Sequence, residues 1–304
     1  TLSGKAEKKN PRQRSCSRVL MTTKETPGGR TKSWSPGRRS FYLCLNFVMM
    51  ALGSPQKLKK DRTVKIDHPM IQKIEQQIAG EMIRARFYSA QPDSKADWVY
   101  IHGAGKLGLL EFPYSAEFER KGFSVLNFHF SGCGQSSGNF ENSSLSKRVA
   151  EARAMIESHV DSENFKICAA SMGGHIALRM LQYFQPKSLI LFCPAIYDRD
   201  AFELPFGSGF SQAIRKPFSW KNSETLELLR NFNGQLLIFI GSDDQVIPKG
   251  VIELLDHNSP NASPKEIITL SGCPHNIYLW LEQHPQQRQT VINKILDFSF
   301  KKSP

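Results

Sequence analysis

Residues 165–175 read Phe-Lys-Ile-Cys-Ala-Ala-Ser-Met-Gly-Gly-His, and no other stretch constrains the fold as much. The run from Phe165 to Ala170 has the apolar character of a short buried strand. A helical pattern begins at Gly173 and continues to about Phe184, leaving one serine, Ser171, at the junction. A strand that becomes a helix within one residue holds that residue in a strained backbone and pushes its side chain out beyond the strand end. Side chains two before and two after it would collide, so both must be tiny, and they are Ala169 and Gly173. The pattern predicts that Ser171 is a nucleophile.

The rest of the chain repeats the strand-then-helix rhythm. Ile71, Ile74 and Ile78, followed by Met82–Tyr88, predict two strands joined near Gly80-Glu81. Further strands are expected at Trp98–Ile101, Phe123–Phe128, Phe165–Ala170, Ser188–Phe192, Gln235–Ile240 and Ile267–Leu270. Leu145, Val149, Ala152, Ile156 and Val160 mark an amphipathic helix, and a helical tail is expected from about Glu282 to Phe298. Residues 195–232 break the rhythm with Phe202, Phe206, Phe210, Phe218 and Trp220 among Pro, Gly and basic residues. Strands alternating with helices predict an α/β fold, a mostly parallel sheet covered on both faces, with ligands at the carboxyl ends of the strands.

Charge confines the basic excess to one end. Of the formal +12, residues 1–65 hold 16 Lys and Arg against 3 Asp and Glu, and residues 66–304 hold 24 against 25. The folded part, 66–304, is near neutral, which argues against a nucleic-acid groove. Residues 1–65 read as a disordered basic extension. Within it Phe41–Leu52 is a twelve-residue apolar run, too short to span a bilayer as a helix. The alternatives for the extension are a targeting segment, since 41–52 resembles the core of a signal peptide, a membrane-surface contact through 41–52, or a start assigned too far upstream. Cysteines stand at 16, 44, 133, 168, 193 and 273, with no C-x-x-C pair. Their scatter favours reduced thiols in a cytoplasmic protein over a disulfide framework or a zinc site.

The chemistry-bearing residues follow strand ends. A serine hydroxyl needs a neighbouring base, and the base needs an orienting group. Asp244 follows one late strand and His275 the next, so His275 is expected to take the proton from Ser171 and Asp244 to hold the imidazole. Asp243 competes for the acid role, but the spacing to Gly241 and Pro248 favours Asp244. An oxyanion needs two donors. The Met172 amide, at a helix N-terminus, is one, and the Ala104 amide, flanked by Gly103 and Gly105, is the other. His102 and His175 read as structural residues rather than catalytic ones. Lys106 reads more plainly as a solvated loop lysine than as a contact for an anionic substrate.

These residues together carry a resemblance. His102-Gly103, Gly132-x-Gly134-x-Ser136, Ser171 in its elbow, Gly241-x-x-Asp244-x-x-x-Pro248 and His275 stand in the order found in the α/β-hydrolase superfamily, which the chain resembles from about 70 to 300. It looks closest to the small serine-hydrolase branch of esterases, acyl-hydrolases, thioesterases and proline-type aminopeptidases. Two departures stand out: the elbow has Ala169 where glycine is usual, and His129 and Ser131 precede the glycine turn. The resemblance implies an eight-stranded sheet with helices on both faces and a small cap after the sixth strand, here about 195–232. It implies hydrolysis of an ester or related acyl bond of a small molecule through an acyl-enzyme, with no cofactor or metal. A catalytically inactive binding module and an aminopeptidase are the competing expectations.

Overall fold

The computed structural model describes residues 71–89, 91, 94–105 and 111–300. The extension 1–65, its apolar run 41–52 and Lys106 lie outside these residues. The strands are β1 (Ile71–Ile78), β2 (Glu81–Tyr88), β3 (Trp98–Ile101), β4 (Val125–His129), β5 (Lys166–Ala170), β6 (Ser188–Phe192), β7 (Gln235–Gly241) and β8 (Lys265–Leu270). They form one eight-stranded sheet in the order β1-β2-β4-β3-β5-β6-β7-β8. β2 runs antiparallel to both its neighbours, and every other pair is parallel. The β1–β2 hairpin turns through Ala79 and Gly80, both at positive φ (48° and 86°), the two-residue turn whose twist suits a hairpin.

Period-two alternation along the parallel strands builds two separate cores. Val99, Ile101, Ile167, Ala169, Leu189, Leu191, Leu236 and Ile238 face one side. There they meet α2 (Leu145–His159), α3 (Met172–Met180), α5 (Thr225–Arg230) and α6 (Lys249–His257). Trp98, Tyr100, Cys168, Ile190, Phe192, Leu237 and Phe239 face the other side, against α1 (Ser115–Arg120), α7 (Ile277–Gln283) and α8 (Pro285–Phe300). Strands buried on both faces explain why β5, β6 and β7 read as continuous apolar runs.

Several boundaries differ from expectation, among them the start of β4 at Val125, the start of β8 at Lys265 and two helix boundaries. The C-terminal tail is two helices: α7 begins just after His275, and α8 starts at Pro285, which lacks the N–H that a helix's first position does not need. α3 opens at Met172, so Ser171 itself is the residue before the helix.

The connection from β6 to β7 forms the cap, with α4 (Ser208–Arg215), α5 and two short 3₁₀ turns. It is tied to the start of α2 by the Phe206 amide on the Ser143 carbonyl (2.8 Å) and the Ser146 amide on the Phe202 carbonyl (3.0 Å). Phe206 is buried against Phe140 and Phe210, whereas Phe218 is exposed. Cys168, Cys193 and Cys273 are buried free thiols, and Cys133 is buried as well. Among the described residues no helix is long and apolar enough to cross a membrane.

Candidate active site

Ser171 sits at φ 51°, ψ −120°, between the end of β5 and the start of α3. A non-glycine residue there is strained by on the order of 1–3 kcal/mol, so its surroundings must hold it. The Ser171 amide donates to the Phe192 carbonyl (2.9 Å), and the Ser171 carbonyl accepts from the Gly174 and Ala195 amides (2.9 Å each). Gly173 is where the turn tolerates no side chain. A Cβ at 173 would lie 2.1 Å from the Ile101 carbonyl oxygen, because α3 starts against the end of β3. Ala169, two residues before the serine, is fully buried in the sheet.

β6 separates β5 from β7 in the sheet, so strand ends alone do not bring Asp244 and His275 to Ser171. The loop after β8 crosses over the end of β7 instead. A Cβ at Gly241 would stand 2.1 Å from the Cys273 carbonyl oxygen, and the Asp243 amide donates to that same oxygen (3.0 Å). This crossing swings His275 back across β6, with Nε2 3.0 Å from Ser171 Oγ and Nδ1 2.8 Å from Asp244 Oδ2. The Val246 and Ile247 amides donate to Asp244 Oδ1 (2.7 and 3.1 Å). Burial by itself would raise the Asp244 carboxyl. The hydrogen bonds from His275 and from the Ile247 and Val246 amides outweigh it and hold the group below the usual carboxylate range. Asp243 is exposed and accepts from Ser242 Oγ (2.8 Å), away from the imidazole.

Of the two residues whose amides are expected to serve an oxyanion, Met172 follows the serine and Ala104 follows Gly103. Met172 is the first residue of α3, so its N–H has no carbonyl within the helix to bond. Gly103 packs on the nucleophile: a Cβ there would be 3.3 Å from Ser171 Cβ. Ala104, next along, is exposed. His102 and His175 are both buried within the scaffold. His102 bridges the Gly103 carbonyl and the Phe130 amide, and His175 Nδ1 accepts from the Tyr197 amide (3.3 Å). Gly132, at φ 72°, lets the turn after β4 pass against the backbone of Phe140, while Ser136 Oγ joins the His129 carbonyl to the Arg84 amide.

Two residues near the serine escape a reading by motif. Cys193 stands at the end of β6 with φ 43°. Its sulfur lies within 4.8 Å of donor atoms of Asp244 and His275, a set able in geometry to hold a metal ion. Burial, with the Asp244 charge next, pushes its thiol up. Arg148 is buried beneath the Gly103 loop. Its position, three residues after Leu145 and four before Ala152, puts it on the buried face of α2, and that spacing is the signal by which it could be found.

A model of the serine aminopeptidase family S33 matches residues 92–222, a span that contains Ser171 and ends before Asp244 and His275. No curated protein sequence matches. Among solved structures, a predicted CIB-like hydrolase from Thermoplasma acidophilum superposes with a TM-score of 0.53 at 17% identity, covering 75% of this chain and 98% of that one. The α/β hydrolase GrgF from Penicillium sp. sh18 gives 0.57 at 13%, covering 76% and 98%. Est1E from Butyrivibrio proteoclasticus, with ferulic acid bound, gives 0.51 at 17%, covering 73% and 100%. With this sheet order, this elbow and structural neighbours of the same architecture, the chain has the α/β-hydrolase fold, and its central span matches a hydrolase family model.

Proposed function

We propose that the chain is a serine hydrolase that cleaves a carboxylic ester or related acyl bond of a small molecule through an acyl-enzyme. The observation that carries the reading is the continuous chain of contacts from Asp244 through His275 to Ser171, at 2.8 and 3.0 Å. In this reading His275 Nε2 takes the Ser171 proton as Oγ attacks the acyl carbon, and Asp244 steadies the imidazolium. The Met172 and Ala104 amides receive the negative charge on the former carbonyl oxygen. His275 then gives its proton to the departing group, and a water activated by the same imidazole releases the acid. Asp244 already accepts two backbone amides, so it is oriented before substrate arrives.

The aminopeptidase alternative rests on the description of the matched family. An aminopeptidase would need an acidic side chain in the cap to hold a free amine, and Glu203, within 195–232, is exposed and accepts from Ser146 Oγ (2.6 Å). That contact gives the alternative no added support.

The test is labelling by a fluorophosphonate, followed by a panel of p-nitrophenyl esters of rising chain length run beside aminoacyl amides. Wild type should label and turn over esters, and Ser171→Ala should do neither. Folded wild type that neither labels nor hydrolyses any of these substrates would point to an inactive binding module and sink the reading.

A further inference from the structure

Arg148 carries a buried positive charge that acyl transfer, as outlined, does not use. The residue is fully buried on α2, and among the described residues no carboxylate oxygen lies within 4.0 Å of it. Its guanidinium lies 4.8 Å from the ring centres of Phe130 and Phe206 and 5.4 Å from that of Phe140. Cation–π attraction to these faces replaces part of the lost hydration. Nη1 donates to the Gly103 carbonyl (3.1 Å) and lies 3.2 Å from Met172 Sδ, and Nη2 lies 3.3 Å from Cys133 Sγ. Burying the charge with no carboxylate in direct contact is costly, Glu151 acting on it only from beyond 4.0 Å, and the one neutral backbone oxygen it engages belongs to the loop against the nucleophile.

That oxygen has a second donor. The Phe130 amide donates to His102 Nε2 (3.2 Å), which leaves Nδ1 as the protonated nitrogen, and Nδ1 donates to the Gly103 carbonyl (2.8 Å). Two donors therefore converge on one peptide oxygen. Among the described residues only Ser263–Pro264 is cis, so the Gly103–Ala104 peptide is trans and its C=O and N–H point in opposite directions. Pulling the carbonyl toward α2 turns the Ala104 N–H the other way, and polarising the carbonyl makes that N–H a stronger donor.

We propose that Arg148, with His102 beside it, is a positioning residue for the oxyanion site. Its charge-assisted hydrogen bond orients and polarises the Gly103–Ala104 peptide, whose N–H stabilises the developing oxyanion. The inference rests on the acyl-transfer reading above.

The test compares full-length wild type, Arg148→Met, Arg148→Gln and Arg148→Lys, with active sites counted by end-point fluorophosphonate labelling. The ester is the one best hydrolysed in the panel. Two inhibitors share its acyl chain: a trifluoromethyl ketone, which forms a tetrahedral oxyanion on a serine, and an alkyl ether, which cannot. Arg148→Met should lower kcat/KM per active site by roughly tenfold to a hundredfold, less than the 10²–10³ for deleting a donor outright. The ketone should weaken by the same factor while the ether binds as before, and Arg148→Lys should recover part of both losses. If Arg148→Met does not fold, Arg148→Gln carries the same comparison. Per-site kcat/KM within about twofold of wild type overturns the proposal. So does equal weakening of both inhibitors, the mark of a collapsed pocket. If Ser171→Ala still hydrolyses the ester, the acyl-transfer reading falls and takes this proposal with it. A dead Ser171→Ala beside an unaffected Arg148→Met removes only the role of Arg148.

Discussion

Asp243 and Asp244 are adjacent in sequence and stand in different chemical environments. Asp244 is engaged by an imidazole and two backbone amides, whereas Asp243 faces solvent beside Ser242. Replacing Asp244 with asparagine keeps the shape but removes the charge that stabilises an imidazolium and favours the wrong tautomer. By analogy with serine proteases, kcat should fall by about 10³–10⁴ for Asp244→Asn. Asp243→Asn should stay within about twofold. Steady-state ester hydrolysis by the two variants decides between them, and the reverse ranking would assign the acid to Asp243. Spacing from Gly241 and Pro248 already favoured Asp244 in the sequence. The amides of Val246 and Ile247 that hold it were not legible there, because they depend on how the loop after β7 closes.

At the scale of the element, α3 meets the sheet more tightly than its apolar pattern suggests. Gly173 lies against the backbone of Ile101 and His102, where a methyl group would have to displace a carbonyl rather than a flexible side chain. Gly173→Ala should therefore lower stability by roughly 1–3 kcal/mol, the range for overpacking a well-filled core. It should also misaim Ser171, cutting fluorophosphonate labelling rates. Urea unfolding and labelling kinetics would show both, and wild-type values for each would mean that the elbow has more room than this contact allows. The requirement for small residues at 169 and 173 was readable from the strand-to-helix switch. The identity of what Gly173 touches was not, since β3 precedes it by some seventy residues and only the sheet order makes them neighbours.

Acid sensitivity belongs to the whole molecule. Burial, with the charge of Arg179 next, lowers His175 from 6.5 to about 3. Burial, with Arg148 next, holds His102 well below the usual imidazole range. Both folded-state values lie below the unfolded one, so the unfolded chain takes up more protons as pH falls below about 6.5. The stability that His175 contributes is complete above that pH and is lost progressively toward pH 3, at up to about 1.4 kcal/mol per pH unit, and His102 works in the same direction. The depressed Asp244 carboxyl works in the same direction, its share being lost as pH falls through its folded-state value. Unfolding free energy measured from pH 7 to pH 4 should fall steadily, and His175→Gln should flatten the slope by about one proton. An unchanged slope would show that His175 does not remain neutral in the folded state.

Strand periodicity and length determined the layered α/β architecture, because a segment buried on both faces can only be a continuous apolar run and the run lengths were those of strands. The same local chemistry marked Ser171, since a strand-to-helix switch demands small neighbours wherever it occurs. Only the tertiary structure decided how His275 reaches Ser171. β6 intervenes between their strands, and the reach depends on the loop after β8 lying on Gly241. It also decided that a charged residue of α2 lies beneath the Gly103 loop. A helical period says which face is buried, but a contact between residues 45 apart is made by packing, and packing is a property of the assembled layers.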